Sequence, residues 1–296
     1  MKKFFKWTGI VLGSFLILLL AAVAFIYFSV ENRFDKEYQV APVSLTIPAD
    51  AETIALGKHI AAIKGCNDCH GSDYGGKVVI DDPGMGFIPA PNITPGKGGL
   101  STRYTSYTDE DYVRAIRHGI GKDGKSLVLM PSYEYNPLSK KDLTALISYL
   151  KTVAPVNRKM EDVKLGPVGY VLTSLNKVPV VSAEKVDHAK PIAGEVHPEI
   201  TVTYGKYLAV SCVGCHGDNF QGGDAIIPGS PKVPNITGSG SLNKWTEAQF
   251  IQTLRTGVTP EGKKLDPKFM PWPMTKNYTE TEIKALYLFL KEQQTS

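Results

Sequence analysis

The segment Cys66-Asn67-Asp68-Cys69-His70 and its second copy, Cys212-Val213-Gly214-Cys215-His216, decide how the whole chain is interpreted. In each copy two thiols stand three residues apart, and an imidazole follows the second thiol directly. Residues three and four apart lie on one face of a helical turn, so both thiols and the ring would face the same side. All four cysteines of the chain belong to these copies. Four are too few for the disulfide framework of a protein of 296 residues.

This spacing is the signature by which c-type haem is attached. The two thiols would bond the haem vinyl groups, and His70 or His216 would reach the iron from the same side. A thioredoxin-like redox pair needs a strand–helix context that is absent here. A zinc site needs four ligands, and neither unit offers a second cysteine pair. The duplication therefore favours two covalently attached haems. The attachment residues would be Cys66, Cys69, Cys212 and Cys215.

Further landmarks recur in the same order around the two motifs. Both copies continue with Pro-Asn-Ile-Thr, an aromatic residue before Thr, Arg-x-Gly and Met-Pro, and both end in a helix with one apolar stripe. No stretch alternates long enough to indicate a sheet, so the predicted fold class is all-α. The predicted domains are residues 51–154 (the first unit) and 198–296 (the second unit), joined by a linker at 155–197. Within the linker, Val168 to Leu175 is expected to form a short helix packed between the units.

The run from Trp7 to Phe28 is uncharged and almost entirely apolar. As a helix with a rise of about 1.5 Å per residue it would reach about 33 Å, enough to cross the hydrocarbon core of a membrane. A cleaved signal peptide is the alternative, since Ala22-Val23-Ala24 resembles a cleavage site. The apolar run is longer than a usual signal, however. We therefore expect residues 1–28 to be an uncleaved membrane anchor, followed by a tether at 29–50.

The charge distribution orients this anchor. Lys2, Lys3 and Lys6 precede the span and mixed charges follow it, so the positive-inside rule puts the N-terminus in the cytoplasm and the rest on the periplasmic side. These three lysines also account for most of the formal net charge of +4. The remainder has no strongly basic face, and we expect no nucleic-acid partner.

The sixth iron ligand decides whether a haem carries electrons or binds small molecules. Met130 and Met270 stand at matching places, each followed by a proline whose fixed φ would hold the loop rigid. Simple core packing is the alternative, but the correspondence across the repeat favours ligation, which raises the reduction potential. Met274 is a local alternative to Met270, whereas Met85 and Met160 have no counterpart and are expected to be packing residues.

The remaining histidines lack such a correspondence. His59 aligns with Tyr207 of the second unit, and His118 also aligns with a residue of another type. His188 and His197 lie in the linker. We expect each of the four to be a surface or packing residue rather than an iron ligand.

Together these residues resemble the class I cytochrome c family, present twice over about residues 51–153 and 198–293. The resemblance implies two tandem cytochrome c domains behind an N-terminal transmembrane helix. It also implies that the first helix of each domain crosses the last helix near Gly57 or Gly205.

The resemblance further implies roles around each haem. The proline before Asn-Ile-Thr is similar to the family's loop proline, whose carbonyl accepts the Nδ1 proton of the ligating histidine. The aromatic residue before Thr resembles a position near the haem propionates. The arginine of Arg-x-Gly would neutralise those propionates, with a solvated helix position as the alternative. The residues matched in this way are Pro91, Pro234, Tyr107, Trp245, Arg117 and Arg255.

The local pattern is most similar to the cytochrome subunits of membrane-bound alcohol, gluconate and aldehyde dehydrogenases, which commonly carry three haem units where this chain has two. This implies an electron relay between a dehydrogenase or other oxidoreductase and an acceptor such as an oxidase or a soluble cytochrome. The dihaem subunit of a haem–copper oxidase is the second interpretation. A dihaem peroxidase needs an open iron position with acid–base groups beside it, which no motif indicates. We expect an electron-transfer protein without catalytic residues.

Overall fold

The computed structural model describes residues 2–100, 107–225 and 230–293. Its first element is one long helix, α1 (Lys2–Asp35). From Lys2 to Phe25 its side chains are exposed, including a continuous series of large apolar ones. The helix is long and apolar enough to cross a membrane. Its C-terminal part is covered by the rest of the chain, where Val30 is fully buried.

The helices of the first unit surround the first motif. They are α2 (Ala51–Ile63), α3 (Cys66–His70), α4 (Asp109–His118), α5 (Ser132–Tyr135) and α6 (Lys140–Thr152). Side chains fix where they begin: the Asp50 carboxylate accepts from the Thr53 N–H at 2.9 Å, and Thr108 and Asp111 form a reciprocal capping box. Gly65 has a φ of 67°, and this left-handed residue sets the motif apart from α2 as a turn of its own.

A small sheet follows the first motif. β1 (Lys77–Asp82) pairs antiparallel with β2 (Gly86–Ala90), and β2 pairs antiparallel with the linker strand β3 (Lys164–Leu165). The strictly all-α prediction is therefore wrong in this region, although helices dominate the fold. The physical reason is that β1 is exposed on both faces and lacks the alternation of a half-buried strand, while β2 contains Pro89.

The linker contains the expected short helix, but the helix does not pack where it was predicted to. α7 (Pro167–Ser174) packs against α1 and the β1–β2 hairpin rather than between the two units. The ring centroids of Tyr170 and Tyr27 lie 5.4 Å apart. A Cβ at Gly169 would stand 2.4 Å from the Met85 carbonyl oxygen. α7 can approach the hairpin this closely because Gly169 has no side chain, and an apolar sequence pattern does not predict such a contact.

The second unit is built from α8 (Val202–His216), α9 (Glu247–Thr256), α10 (Trp272–Thr275) and α11 (Glu280–Glu292). Here the first helix continues without a break into the second motif. Capping boxes start α9, with Thr246 and Gln249, and α11, with Thr279 and Glu282.

In both units the first helix crosses the last helix at a glycine. A Cβ on Gly57 would lie 1.8 Å from the Ala145 carbonyl oxygen, and a Cβ on Gly205 would lie 2.0 Å from that of Ala285. A side chain at either position would therefore force the helices apart. The crossing is the one that the resemblance implies, and each crossing closes a hydrophobic core of its own.

Candidate functional site

Both motifs hold their histidine in the same way. His70 is the last residue of α3 and His216 the last of α8. Nδ1 of His70 lies 2.9 Å from the Pro91 carbonyl oxygen, and Nδ1 of His216 lies 3.0 Å from that of Pro234. A carbonyl only accepts, so each Nδ1 carries the proton and donates. Nε2 is thereby left with the lone pair that a metal can take, and the ring is held in one orientation.

The environment keeps both rings neutral. Burial lowers the pKa of His70 and of His216, and the bond to the prolyl carbonyl opposes this shift only in part. The backbone repeats the match, since the N–H groups of Gly76 and Gly222 each donate at 2.8 Å to the carbonyl of the motif histidine. A neutral imidazole is the form that binds a metal.

All four cysteines lie in the described ranges and are free thiols. Burial raises the pKa of both Cys66 and Cys212 to about 12, the opposite of what activates a redox dithiol or a zinc thiolate. Among the described residues, no group of three or more His, Cys, Asp or Glu is placed to hold a metal ion. Two neutral thiols on one turn beside an oriented histidine fit covalent haem attachment better than the zinc or thioredoxin-like alternatives.

Comparison with known families agrees with this geometry. A family model described as cytochrome c matches residues 54–154 and 202–294, one segment around each motif. The chain belongs to the cytochrome c family. The predicted resemblance is thereby confirmed, and membership implies covalently bound haem c.

Several similar proteins are named as cytochrome subunits of dehydrogenases, and each is longer than this chain. The fructose dehydrogenase cytochrome subunit of Gluconobacter japonicus is 28% identical over 271 residues, which are 82% of this chain and 54% of the relative. The cytochrome c subunit of the quinone alcohol dehydrogenase of Gluconobacter oxydans (strain 621H) is 27% identical over 239 residues, 71% of this chain and 48% of the relative.

The gluconate 2-dehydrogenase cytochrome c subunit of Pantoea cypripedii is 28% identical over 240 residues, 71% of this chain and 52% of the relative. The chain thus spans about half the length of these relatives. All three names describe cytochrome subunits of dehydrogenases.

Each cytochrome c unit places its Met-Pro pair against its own core. Met130 packs on the core of the first unit together with Cys66 and Tyr107. Met270 packs on the core of the second unit together with Cys212 and Trp245. The turns match as well, because the residue two places after each methionine donates its N–H to the methionine carbonyl, at 2.8 Å and 2.7 Å. In each unit, the first motif cysteine and the predicted methionine ligand are therefore brought to one core.

Met274 lies at the boundary between the units. A Cβ on Gly65 would stand 2.9 Å from its sulfur, so Met274 packs beside the motif of the first unit. This placement favours Met270 over Met274 as the ligand of the second site. Met160 packs on Gly76, where a Cβ would stand 2.5 Å from its Cγ.

Arg117 is buried, and two of its guanidinium nitrogens lack a hydrogen-bond acceptor among the described residues. Its side chain is 1% exposed, which excludes the solvated alternative for this residue. Nη2 donates to the Lys190 carbonyl at 2.8 Å, whereas Nε and Nη1 have no hydrogen-bond partner within the described part of the chain. A buried guanidinium requires an acceptor, and a haem propionate would supply one. Arg255 differs, since it is half-buried and donates to the Lys276 carbonyl.

The two aromatic positions also differ from each other. The Tyr107 ring meets the Tyr112 ring edge-on at a centroid distance of 5.0 Å. Trp245 donates its indole N–H to the Glu261 carboxylate at 2.8 Å. The Trp245 nitrogen is therefore engaged with a side chain of its own unit rather than directed at a propionate.

Two equivalent bonds that were not predicted from the sequence join the units. Nε2 of His59 lies 2.8 Å from Glu282 Oε1, and the Tyr207 hydroxyl donates to Asp142 Oδ2 at 2.5 Å. His59 and Tyr207 align across the repeat, and each carboxylate is the third residue of a final helix. Each first helix thus bonds to the last helix of the other unit. The alignment of His59 with Tyr207 was the available signal.

The units also meet beside their motifs. A Cβ on Gly214, inside the second motif, would stand 2.7 Å from Glu134 Oε1 and 2.8 Å from the Tyr133 hydroxyl. Buried Lys64, just before the first motif, donates to Ser211 Oγ at 2.8 Å, just before the second. Burial raises the pKa of Glu134 to about 7, although Lys64 and Tyr133 oppose the shift. The segment after Met130 is therefore packed on the motif of the other unit.

Proposed function

We propose that this chain is a membrane-anchored dihaem cytochrome c that relays electrons between a dehydrogenase and a terminal acceptor. The observation that carries the proposal is the duplicated histidine geometry, with its prolyl acceptor and a methionine at the matching place in each unit. An enzyme would need an open position at iron with acid–base groups beside it. Two equivalent, doubly ligated sites suit electron transfer instead.

In this proposal the two thiols of each motif would hold a haem through thioether bonds. His70 and Met130 would ligate the iron of the first haem, and His216 and Met270 would ligate that of the second. Haem c supplies reversible one-electron chemistry when bound. The chain keeps the ligands still, since a prolyl carbonyl fixes each histidine ring and a proline follows each methionine. Arg117 would pair with a propionate of the first site.

The interface between the units supports a relay within one body. The two bonds between first and last helices, together with the Lys64–Ser211 contact, tie the units to each other at three places. Both motifs lie beside this interface, because Gly65 and Gly214 contact residues of the opposite unit. A fixed spacing of the two sites is what repeated electron transfer between them requires.

The anchor and the relatives support the location and the partner. α1 would cross the cytoplasmic membrane with its lysine-rich N-terminus inside, leaving both units on the periplasmic side. The relatives named above are dehydrogenase cytochrome subunits, which favours a dehydrogenase partner over the core of a haem–copper oxidase. Domain boundaries at 51–154 and 198–296 and an acceptor of the oxidase or soluble cytochrome type belong to the same proposal.

The test of the relay is ligand removal at one site. Reduced wild-type protein should bind carbon monoxide only weakly, and Met130→Ala should keep both haems and gain one carbon monoxide per chain. Met85→Ala is the matched control, since Met85 has no counterpart in the repeat, and it should change nothing. Stoichiometric carbon monoxide binding by the wild type, or rapid peroxide turnover with both methionines present, would replace the relay by an enzyme.

The partner is tested separately by affinity capture of the full chain in mild detergent. Co-purification of dehydrogenase subunits is the expected result. Co-purification of oxidase core subunits without a dehydrogenase would overturn this part of the proposal.

A further inference from the structure

The solvent side of the linker helix α7 is apolar throughout. Val168, Val171 and Leu175, which we call the apolar stripe, are 45%, 41% and 60% exposed. Their spacing puts them on one face of the helix. The sequence of α7 contains no charged residue. A contiguous apolar patch of this kind on a surface helix marks a candidate contact site.

The opposite side of α7 is held firmly, so the stripe has a fixed direction. The Tyr170 hydroxyl donates to Glu31 Oε1 at 2.6 Å, and Arg33 donates to the Thr173 carbonyl at 2.6 Å. Arg33 also donates to Asn176 Oδ1 at 2.9 Å, just after the helix. Thr173 is fully buried on this side. The stripe therefore cannot turn inward without breaking these bonds.

The location of α7 along α1 is set by the same contacts. Tyr27, whose ring meets that of Tyr170, lies at the end of the uncharged run, and α1 continues unbroken to Asp35. At about 1.5 Å per residue, Arg33 stands about 9 Å beyond Tyr27. The layer between the hydrocarbon core and water is about 5–8 Å thick on each side of a bilayer. Tyr170 of α7 therefore lies at the inner side of this layer, where tyrosine is enriched, and the C-terminal end of α7 beside Arg33 lies at its outer edge.

We infer that the apolar stripe docks on the lipid surface of the membrane that α1 crosses. Lipid is the expected occupant because the helix that carries the stripe is bonded to the segment of α1 that leaves the span. The inference rests on the proposed anchoring by α1 and adds a second attachment point to it.

The second attachment would orient the first unit. Val168 and Gly169 of α7 pack on the turn of the β1–β2 hairpin, at Gly84 and Met85. β2 ends one residue before Pro91, which holds His70. Docking of the stripe would thus fix the orientation of the first site relative to the membrane, because the short strand β2 connects the hairpin turn to Pro91.

The experiment uses the full-length holoprotein in nanodiscs of phosphatidylethanolamine and phosphatidylglycerol. A nitroxide is attached to single introduced cysteines: Val171→Cys on the stripe, Leu16→Cys in the span, and Ile200→Cys as the matched exposed apolar control, 50% exposed. Collision with oxygen reports lipid, and collision with a water-soluble nickel chelate reports water. The ratio of oxygen to nickel collisions at Val171→Cys should be several-fold higher than at Ile200→Cys and approach that at Leu16→Cys. Leu175→Cys repeats the measurement at a second stripe position, in case the first substitution perturbs α7.

Each other outcome has one meaning. A ratio at both stripe positions equal to that of Ile200→Cys, with a lipid signal at Leu16→Cys, refutes the docking and leaves the anchor intact. A nickel-accessible Leu16→Cys refutes the anchor itself. A stripe label that is aqueous alone and shielded only after addition of a purified dehydrogenase shows that a protein covers the stripe, which also overturns the inference.

Discussion

The Tyr207 hydroxyl joins the two cytochrome c units through one oxygen atom, and its removal should loosen them measurably. It donates to Asp142 Oδ2 at 2.5 Å and accepts from the Ser139 N–H at 3.1 Å. Tyr207→Phe removes both bonds and keeps the ring. A hydrogen bond to a charged group contributes about 1.5–3 kcal/mol and a neutral one about 0.5–1.5 kcal/mol. We therefore expect the free energy of unfolding to fall by about 2–4.5 kcal/mol.

The assay is guanidinium chloride unfolding of the holoprotein in detergent, followed by circular dichroism. Tyr287→Phe is the matched control, because its hydroxyl donates at 3.0 Å to the Trp245 carbonyl inside the second unit and should cost about 0.5–1.5 kcal/mol. Tyr207→Phe should also raise hydrogen exchange in the first turn of α6, and the control should not. A loss under about 0.5 kcal/mol with unchanged exchange would refute the reasoning, since it is below the smallest contribution expected for either bond.

Three further predictions concern pH, packing and ligation. The bond to Glu282 raises the pKa of His59, so the stabilisation by this pair is complete below the unfolded-state pKa of about 6.5. Above that value it is lost as the pH passes the higher folded-state pKa. The free energy of unfolding, measured as the pH rises across this range, should fall in the wild type because this pair is lost. The fall should be absent in His59→Ala. Gly57→Ala puts a methyl group 1.8 Å from a carbonyl oxygen and should destabilise by about 1–3 kcal/mol in thermal melts. Gly194→Ala, with open space in the described structure, should not destabilise. Met270→Ala should create one carbon monoxide site and Met274→Ala none; the reverse result would make Met274 the ligand.

The site was predictable because its chemistry is local in sequence. Two thiols and a histidine on one helical turn carry their own geometry. The repeat indicated the candidate methionines by position, and the family resemblance indicated the prolines. The structure places Pro91 and Pro234 within hydrogen-bond distance of the motif histidines. The glycine crossings followed from the same resemblance.

Other features depend on contacts that leave little trace in a sequence. β1 is solvated on both faces, so no alternation marks it, and its partner strand β3 has only two residues. α7 approaches the hairpin through Gly169. The apolar segment was expected to pack between the two units, but in the structure its apolar face is exposed. The interface includes polar contacts, in which His59 and Tyr207 reach carboxylates far along the chain, and no hydrophobic pattern predicts these.

Intact mass spectrometry of the denatured full-length chain tests the central claim most directly. Denaturation removes every non-covalent ligand, so only thioether-linked haem remains. The account predicts the mass of the chain plus two haem groups, with one haem on the peptide of Cys66 and Cys69 and the other on that of Cys212 and Cys215. The unmodified mass, a single haem, or both haems on one peptide would contradict it.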